Sequence, residues 1–232
     1  VLMPVFALFF PLPLAVAATA VVHGANNALK TLLMGRSAEW SLVLRFGLPA
    51  IPSAFAGAAL LSLFSGTREI ATYSLGGIQA VISPIKLLMA VLIGVFALFE
   101  LLSSLRTMRF DRKYLTVGGI LSGFFGGLSG HQGALRSAFL AKVGVSKEAF
   151  VGTNAVIGLM VDTARLTVYA GAISSVQSEP GLGSSEWSLI ATGVAAAFAG
   201  VAIGKRMLHK VTMKSIQTLV GVLLMVIALA LG

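Results

Sequence analysis

The stretch GLSGHQGALRSAFLAKVGVSKEAF, from Gly127 to Phe150, interrupts an apolar part of the chain with glycine, serine and amide residues. The apolar segment before it, Tyr114 to Leu128, is short for a full crossing of the ~30 Å hydrocarbon core of a bilayer. A basic residue, Arg136, and a short apolar piece follow the interruption. The stretch therefore predicts a helix that breaks near Gly130 and restarts near Gly133.

Composition predicts that the chain lies in lipid. Of its 232 residues, 57% are hydrophobic and only 11% are charged, and the mean hydropathy is +0.95. A water-soluble core of this size cannot bury so much apolar surface, so we predict an all-α polytopic membrane protein. About seven hydrophobic helical segments are expected, at Val1–Val22, Ser41–Phe64, Gln79–Leu105, Tyr114–Leu128, Val151–Ile173, Trp187–Leu208 and Ser215–Leu231.

An internal duplication is suggested by a second interrupted stretch, HGANNALKTLLMGRSAEW, from His23 to Trp40. Aligning its Lys30 with Arg136 places a polar break, a basic residue and a short apolar helix in both halves. Each half is therefore expected to contain a broken or re-entrant helix. The predicted organisation is a first half over 1–105, a basic cytoplasmic loop over 106–114, and a second half over 115–232 that ends in an extra helix.

The charge distribution favours one of two chain paths. If the segment from Tyr114 to Lys142 enters the membrane and returns, both basic clusters lie on one face, as the positive-inside rule prefers. The rival path has two broken but spanning helices, which makes the halves inverted repeats of three crossings. The basic clusters are Arg106, Arg109, Arg112 and Lys113, and Lys205, Arg206, Lys210 and Lys214, and the acidic segment between them holds Glu179 and Glu186.

The broken segments predict an anion site. Unpaired backbone is costly in lipid and persists only where protein or a polar cavity covers it. Helices that begin near Asn27 and Gly133 would direct free N–H groups at an anion between them, and Lys30 and Arg136 would add positive charge. The candidate binding residues are His23, Asn26, Asn27, Lys30, Gly130, His131, Gln132, Gly133, Arg136 and Asn154.

Two further features bear on coupling to protons. Asp162 and Arg165 lie three residues apart and would pair on one helix face, either as a structural pair or as a gate or proton relay. His23 and His131 lie near the predicted site, and histidine is the side chain that titrates closest to neutral pH. Proton-coupled transport is therefore a weaker hypothesis than anion binding itself.

Other function classes are disfavoured by the residues. The chain has no cysteine and its three histidines are scattered, so neither a metal nor another cofactor is expected. The net charge of +9 comes from short clusters between apolar runs, so nucleic acid is not an expected partner. An intramembrane serine protease is suggested only by Gly127 to Gly130, which match GxSG but lack a suitable later histidine. The last helix lacks the lysine that a retinal protein needs.

One long run of the second half is GGILSGFFGGLSGHQGALRSAFLAKVGVSKEAFVGTNAVI, Gly118 to Ile157. This run resembles the second-half signature of the TauE/SafE sulfite exporter family, also called the TSUP family. The stretch from His23 to Leu33 and the two-half hydropathy pattern are also similar to that family, so the resemblance covers nearly the whole chain. It implies a multi-pass permease of the bacterial inner (plasma) membrane for sulfite, sulfoacetate or other organosulfonates. It also implies that the substrate lies near the two interrupted stretches.

We therefore predict that the protein is a transporter and not an enzyme. The expected function is export or exchange of a small sulfur-containing anion by alternating access, with the lipid bilayer and the anion as partners. An anion channel would share the same site and remains the alternative. Whether the protein forms a homodimer is left open by the sequence.

Overall fold

The computed structural model describes residues 2–7, 9–64, 70–75, 78–102, 110–130, 132–140, 143–175 and 184–207, together with Val222, Met225 and Val226. Nine α-helices can be traced in these ranges: α1 Leu2–Phe6, α2 Leu12–Met34, α3 Trp40–Leu42, α4 Leu48–Phe64, α5 Pro84–Leu101, α6 Leu115–Ser129, α7 Gly133–Leu140, α8 Lys147–Ser175 and α9 Ser184–Met207. Short 3₁₀ turns lie at Gly35–Ser37 and Arg112–Tyr114, and a π-helical turn at Val43–Gly47 joins α3 to α4. The expected helical class is confirmed.

The predicted break near Gly130 is present. Helix α6 ends at Ser129, and Gly130 adopts a left-handed conformation with φ of 78°, while its N–H donates to the Gly126 carbonyl. This is the usual glycine ending of a helix, because a residue without Cβ enters that region at little cost. Helix α7 then restarts at Gly133 and ends at Leu140.

The predicted break in the first half is wrong. Helix α2 continues from Leu12 to Met34 and passes through His23, Asn26 and Asn27 without interruption. The stretch contains no proline, and a glycine inside a helix costs only about 1 kcal/mol relative to alanine. No helix therefore begins near Asn27, and the re-entrant hairpin over Pro11 to Arg36 is not formed. The helical conformation is instead interrupted earlier, between the end of α1 at Phe6 and the start of α2 at Leu12.

A β-hairpin replaces the start of another predicted helix. Strand β1, Ala71–Leu75, pairs antiparallel with β2, Ile78–Ile82, and Ala71 lies opposite Ile82. Helix α5 begins only at Pro84, because Ser83 caps it by accepting a hydrogen bond from the Lys86 N–H and Pro84 suits the first turn. The helix predicted over Gln79–Leu105 is therefore shorter at its start.

Close backbone contact joins α4 to α6. Gly119, Gly123 and Gly127 follow one another at intervals of four and face α4. A Cβ on any of them would overlap a backbone carbonyl of the facing segment, at Phe46, Ala50 and Ala54 respectively. Small residues at such spacing allow two helices in an apolar environment to approach to van der Waals contact of their backbones. This pair of helices forms the centre against which α8 packs.

Two helical stretches in the described ranges are long and apolar enough to cross a membrane, Trp40–Phe64 and Glu186–Gly204. Seven spanning segments are therefore not confirmed. Helices α2 and α8 are long, with 23 and 29 residues, but both contain polar and charged side chains in their middle turns. Of the last predicted segment, Ser215–Leu231, only three residues are described.

Replacing Gly123 by alanine is expected to destabilise the fold. The added methyl group overlaps backbone atoms of Ala50, which cannot rotate away, so we expect a loss of at least ~1–3 kcal/mol of unfolding free energy. Gly200→Ala on α9 is the matched control, since its Cβ meets nothing within 4 Å. Thermal unfolding of both variants in detergent checks this, and equal melting temperatures for the two would contradict the packing.

Candidate functional site

A polar stripe runs along one face of α2. His23, Asn26, Asn27 and Lys30 are separated by the helical intervals of three, four and seven residues, so they share a face of the continuous helix. Asn27 is buried, while the other three are partly exposed. The stretch that begins at His23 thus presents these side chains to the site from a continuous helix.

A second polar stripe lies on α8, which packs against α2. Asn154, Asp162 and Arg165 share one face of this helix, with Gly158 between the first two. Asp162 and Arg165 are both completely buried. The sequence predicted Asp162 and Arg165 as a local pair and Asn154 as a candidate ligand, but it did not indicate that all three form one stripe facing α2.

The carboxylate of Asp162 is the centre of the site. It accepts hydrogen bonds from Asn27 Nδ2 at 2.7 Å and from Gln132 Nε2 at 3.2 Å. It also forms the expected local ion pair with Arg165, whose Nη2 lies 2.7 Å from Asp162 Oδ1. Groups from α2, from the α6–α7 break and from α8 itself therefore converge on one buried charge, which requires such partners to be stable there.

Arg136 on α7 is positioned by amides. Its Nε donates to Asn154 Oδ1 at 2.8 Å and its Nη1 donates to Gln132 Oε1 at 3.1 Å. Asn154 is itself oriented, because its Nδ2 donates to the Phe150 carbonyl. Gln132 thus bridges Arg136 and Asp162, with its oxygen toward the cation and its nitrogen toward the anion.

Two glycines make this convergence possible. A Cβ at Gly158 would lie 2.6 Å from Asn27 Nδ2 and 3.2 Å from Arg136 Nη1, so only glycine leaves room for both side chains. A Cβ at Gly130 would lie 2.7 Å from Arg165 Nη1. Gly130 was predicted from the sequence to contact a small ligand; in the structure the group beside it is Arg165. Gly158 was missed, although its place on the polar face of α8 was readable from the spacing.

The structure brings most of the predicted residues into this region. His23 and Lys30 lie one turn before and one turn after Asn27 on the same face of α2, and the Asn27 amide and the Arg136 guanidinium both lie against Gly158. Gly133 begins α7 beside Gln132. The side-chain oxygen of Asn26 is buried and has no hydrogen-bond partner among the described residues. His131 lies outside the described residues.

The charges of the site favour an anion. Three cationic side chains, Lys30, Arg136 and Arg165, gather around a single described carboxylate, Asp162. Buried positive charge is stabilised by a negative partner and strongly disfavoured without one. Ser129, the serine of the GxSG pattern, is buried and donates a hydrogen bond to the Phe125 carbonyl, so the protease hypothesis gains no support from its surroundings.

Removing the charge of Asp162 is expected to destabilise the protein strongly. In Asp162→Asn the buried Arg165 loses its ionic partner, which typically costs about 3–5 kcal/mol. The double variant Asp162→Asn, Arg165→Gln should lose less than the sum of the two single variants, because it leaves no unpaired charge. Unfolding by SDS in mixed micelles measures all three, and strictly additive losses would show that the pair is not coupled.

Comparison with known proteins agrees with the resemblance seen in the sequence. A family model described as sulfite exporter TauE/SafE matches residues 1–231. No curated protein and no solved structure matches the chain. Because the family match covers essentially its whole length, the chain belongs to the TauE/SafE sulfite exporter family, a family of membrane-embedded transporters and not of enzymes.

Proposed function

We propose that this protein exports sulfite or a related organosulfonate across the bacterial inner membrane, through a multi-pass fold and by alternating access. The family supports the class of cargo. The observation that carries the proposal for this chain is Arg136, which is only 8% exposed and bonded to neutral amides instead of a carboxylate. A guanidinium in this state has donors left for an oxyanion and is stabilised by one.

In the proposed site, Lys30 and Arg136 supply charge to the anion. His23, Asn26, Asn27, His131 and Gln132 supply hydrogen bonds, and Asn154 holds Arg136 in position. Gly133 begins α7 at the site and brings its backbone close to the ligand, and Gly130 allows the turn from α6 that leads to it. Sulfite has three acceptor oxygens on a pyramidal sulfur, and sulfonates present a similar face, so both suit such donors.

The Asp162 network suits a role as the gate of this transporter. It joins α2 of the first half to α8 of the second half through one hydrogen bond, Asn27 to Asp162. It also joins the break between α6 and α7 to α8 through Gln132. An anion that attracts Arg136 away from Gln132 would release this amide and weaken its link to Asp162, which gives the bound state a different preferred arrangement of the halves. Asp162 and Arg165 are in this sense the proposed gating pair.

An anion channel would use the same site without a change between two accessible states. A carrier and a channel differ in kinetics. The transport rate of a carrier saturates with substrate, and a second gradient can drive the carrier to move its substrate against the substrate's own gradient. The Asp162 network joins elements of both halves, which favours the carrier. A continuous pore does not need contacts that hold the two halves in one arrangement.

Arg136→Ala is expected to weaken sulfite binding more than Asn27→Ala. Arginine brings charge to the anion, whereas Asn27 offers only a neutral amide, one of whose protons is already donated to Asp162. A charge-assisted hydrogen bond is worth ~1.5–3 kcal/mol, so Arg136→Ala should raise the Kd roughly 10- to 100-fold. Titration of the purified protein and sulfite efflux from proteoliposomes measure this effect.

The matched control for that variant is Arg206→Ala. It removes the same side chain from the exposed end of α9 and should leave Kd and efflux unchanged. An unchanged Kd in Arg136→Ala would remove this residue from the site.

Coupling to protons is expected to act through the histidines. His23 lies in the same group of charges as Arg136 and Lys30, which repel a proton on its imidazole, so an anion bound among these cations would favour protonation. A pH gradient imposed across proteoliposomes should therefore change the rate of sulfite efflux, and His23→Gln should reduce that response. Efflux that is indifferent to the gradient in the wild-type protein would contradict proton coupling while leaving anion export intact.

A further inference from the structure

We infer that the site selects doubly charged anions over singly charged anions of the same shape. This inference rests on the proposed function, because it concerns the charge of the anion that the same site takes. The site holds three cationic side chains, Lys30, Arg136 and Arg165. The inference depends on which of them already have a carboxylate partner within the protein.

Arg165 is already compensated. Its Nη2 lies 2.7 Å from Asp162 Oδ1, and both side chains are completely buried on the same helix. The two opposite charges of the pair sum to zero net charge. Arg165 therefore contributes little to the charge available for a ligand.

Arg136 and Lys30 are not compensated. The partners of Arg136 are the side-chain oxygens of Gln132 and Asn154, which carry no charge. Lys30 forms no ion pair with any side chain in the described ranges. Asp162 is the one buried acid among the described side chains, and its charge is taken by Arg165. Two positive charges are thus left over.

The two uncompensated cations come from different halves of the chain. Lys30 lies on α2, and Arg136 lies on α7 after the break at Gly130. Lys30 lies one turn beyond Asn27, and the Asn27 amide and the Arg136 guanidinium both lie against Gly158, so the two like charges are near each other and repel. An anion between them would remove this repulsion and link the two halves.

The charge of the anion then decides how much binding free energy is gained. A monoanion leaves one of the two cations without a partner in a poorly solvated site, whereas a dianion leaves neither. The second charge also interacts at short range with the second cation, where the effective dielectric is far below that of water. The dianion loses more hydration on binding, which offsets part of this gain. We expect the remaining preference to be on the order of tenfold in Kd.

Sulfate and methanesulfonate are the probes that isolate charge. Both are tetrahedral about sulfur and similar in size, but sulfate carries two negative charges and methanesulfonate carries one. Their Kd values are measured by calorimetry on the purified full-length protein, and each is also tested as a competitor of sulfite efflux from proteoliposomes. In the wild-type protein sulfate should bind about tenfold more tightly than methanesulfonate.

Lys30→Gln should abolish this preference, because a single uncompensated cation then remains. Lys30→Arg keeps the charge and should keep the preference, which separates charge from side-chain shape. Lys147→Gln is the matched control, since it removes one lysine charge from the exposed start of α8 and should leave both Kd values unchanged.

Equal Kd values for the two probes in the wild-type protein would overturn the inference. So would a preference for sulfate that survives in Lys30→Gln, or the failure of both probes to bind while sulfite still does. Should Lys30→Gln not fold, the wild-type ranking and Lys30→Arg decide. Sulfite efflux in the same vesicles reports on the proposed function separately, so loss of charge selectivity with intact efflux counts only against the selectivity.

Discussion

A carboxylate that is fully withdrawn from water must be surrounded by donors, and this requirement organises the middle of the molecule. Asp162 obtains its donors from three places, Asn27 on α2, Gln132 at the α6–α7 break, and Arg165 on its own helix. Each of these groups would be costly to bury alone, so each stabilises the others. The long helices α2 and α8 are thereby held in register, and the break is held against them.

The two interrupted stretches of sequence behave differently because their surroundings differ. Gly130 ends a helix that is already in backbone contact with α4, and its left-handed conformation lies against Arg165. Gly24 sits inside the continuous α2, where an added Cβ would make a tight 3.3 Å contact with Leu166 on α8, and the backbone stays helical. One stretch therefore contributes a helix start and side chains, and the other contributes side chains alone.

This asymmetry changes the electrostatic picture of the site. Two opposed helix ends would offer backbone N–H groups from both halves, whereas among the described helices only α7 begins at the site. The first half compensates with the face of α2, which supplies Lys30 and the Asn27 amide. The positive character that suits an anion thus depends more on side chains and less on backbone than the duplication suggested, which makes it sensitive to single substitutions.

The sequence was enough to predict the helical class, the family, the break at Gly130 and the residue types of the site, because composition, glycine chemistry and helical spacing are local properties. It also indicated that Asp162 and Arg165 would pair, since residues three apart share a helix face. The packed fold was needed to show that Asn27 lies in an unbroken helix and that Gln132 joins Arg136 to Asp162. Those contacts join residues that are distant in the chain, and their partners are selected by how α2, α6 and α8 pack, which no local pattern encodes.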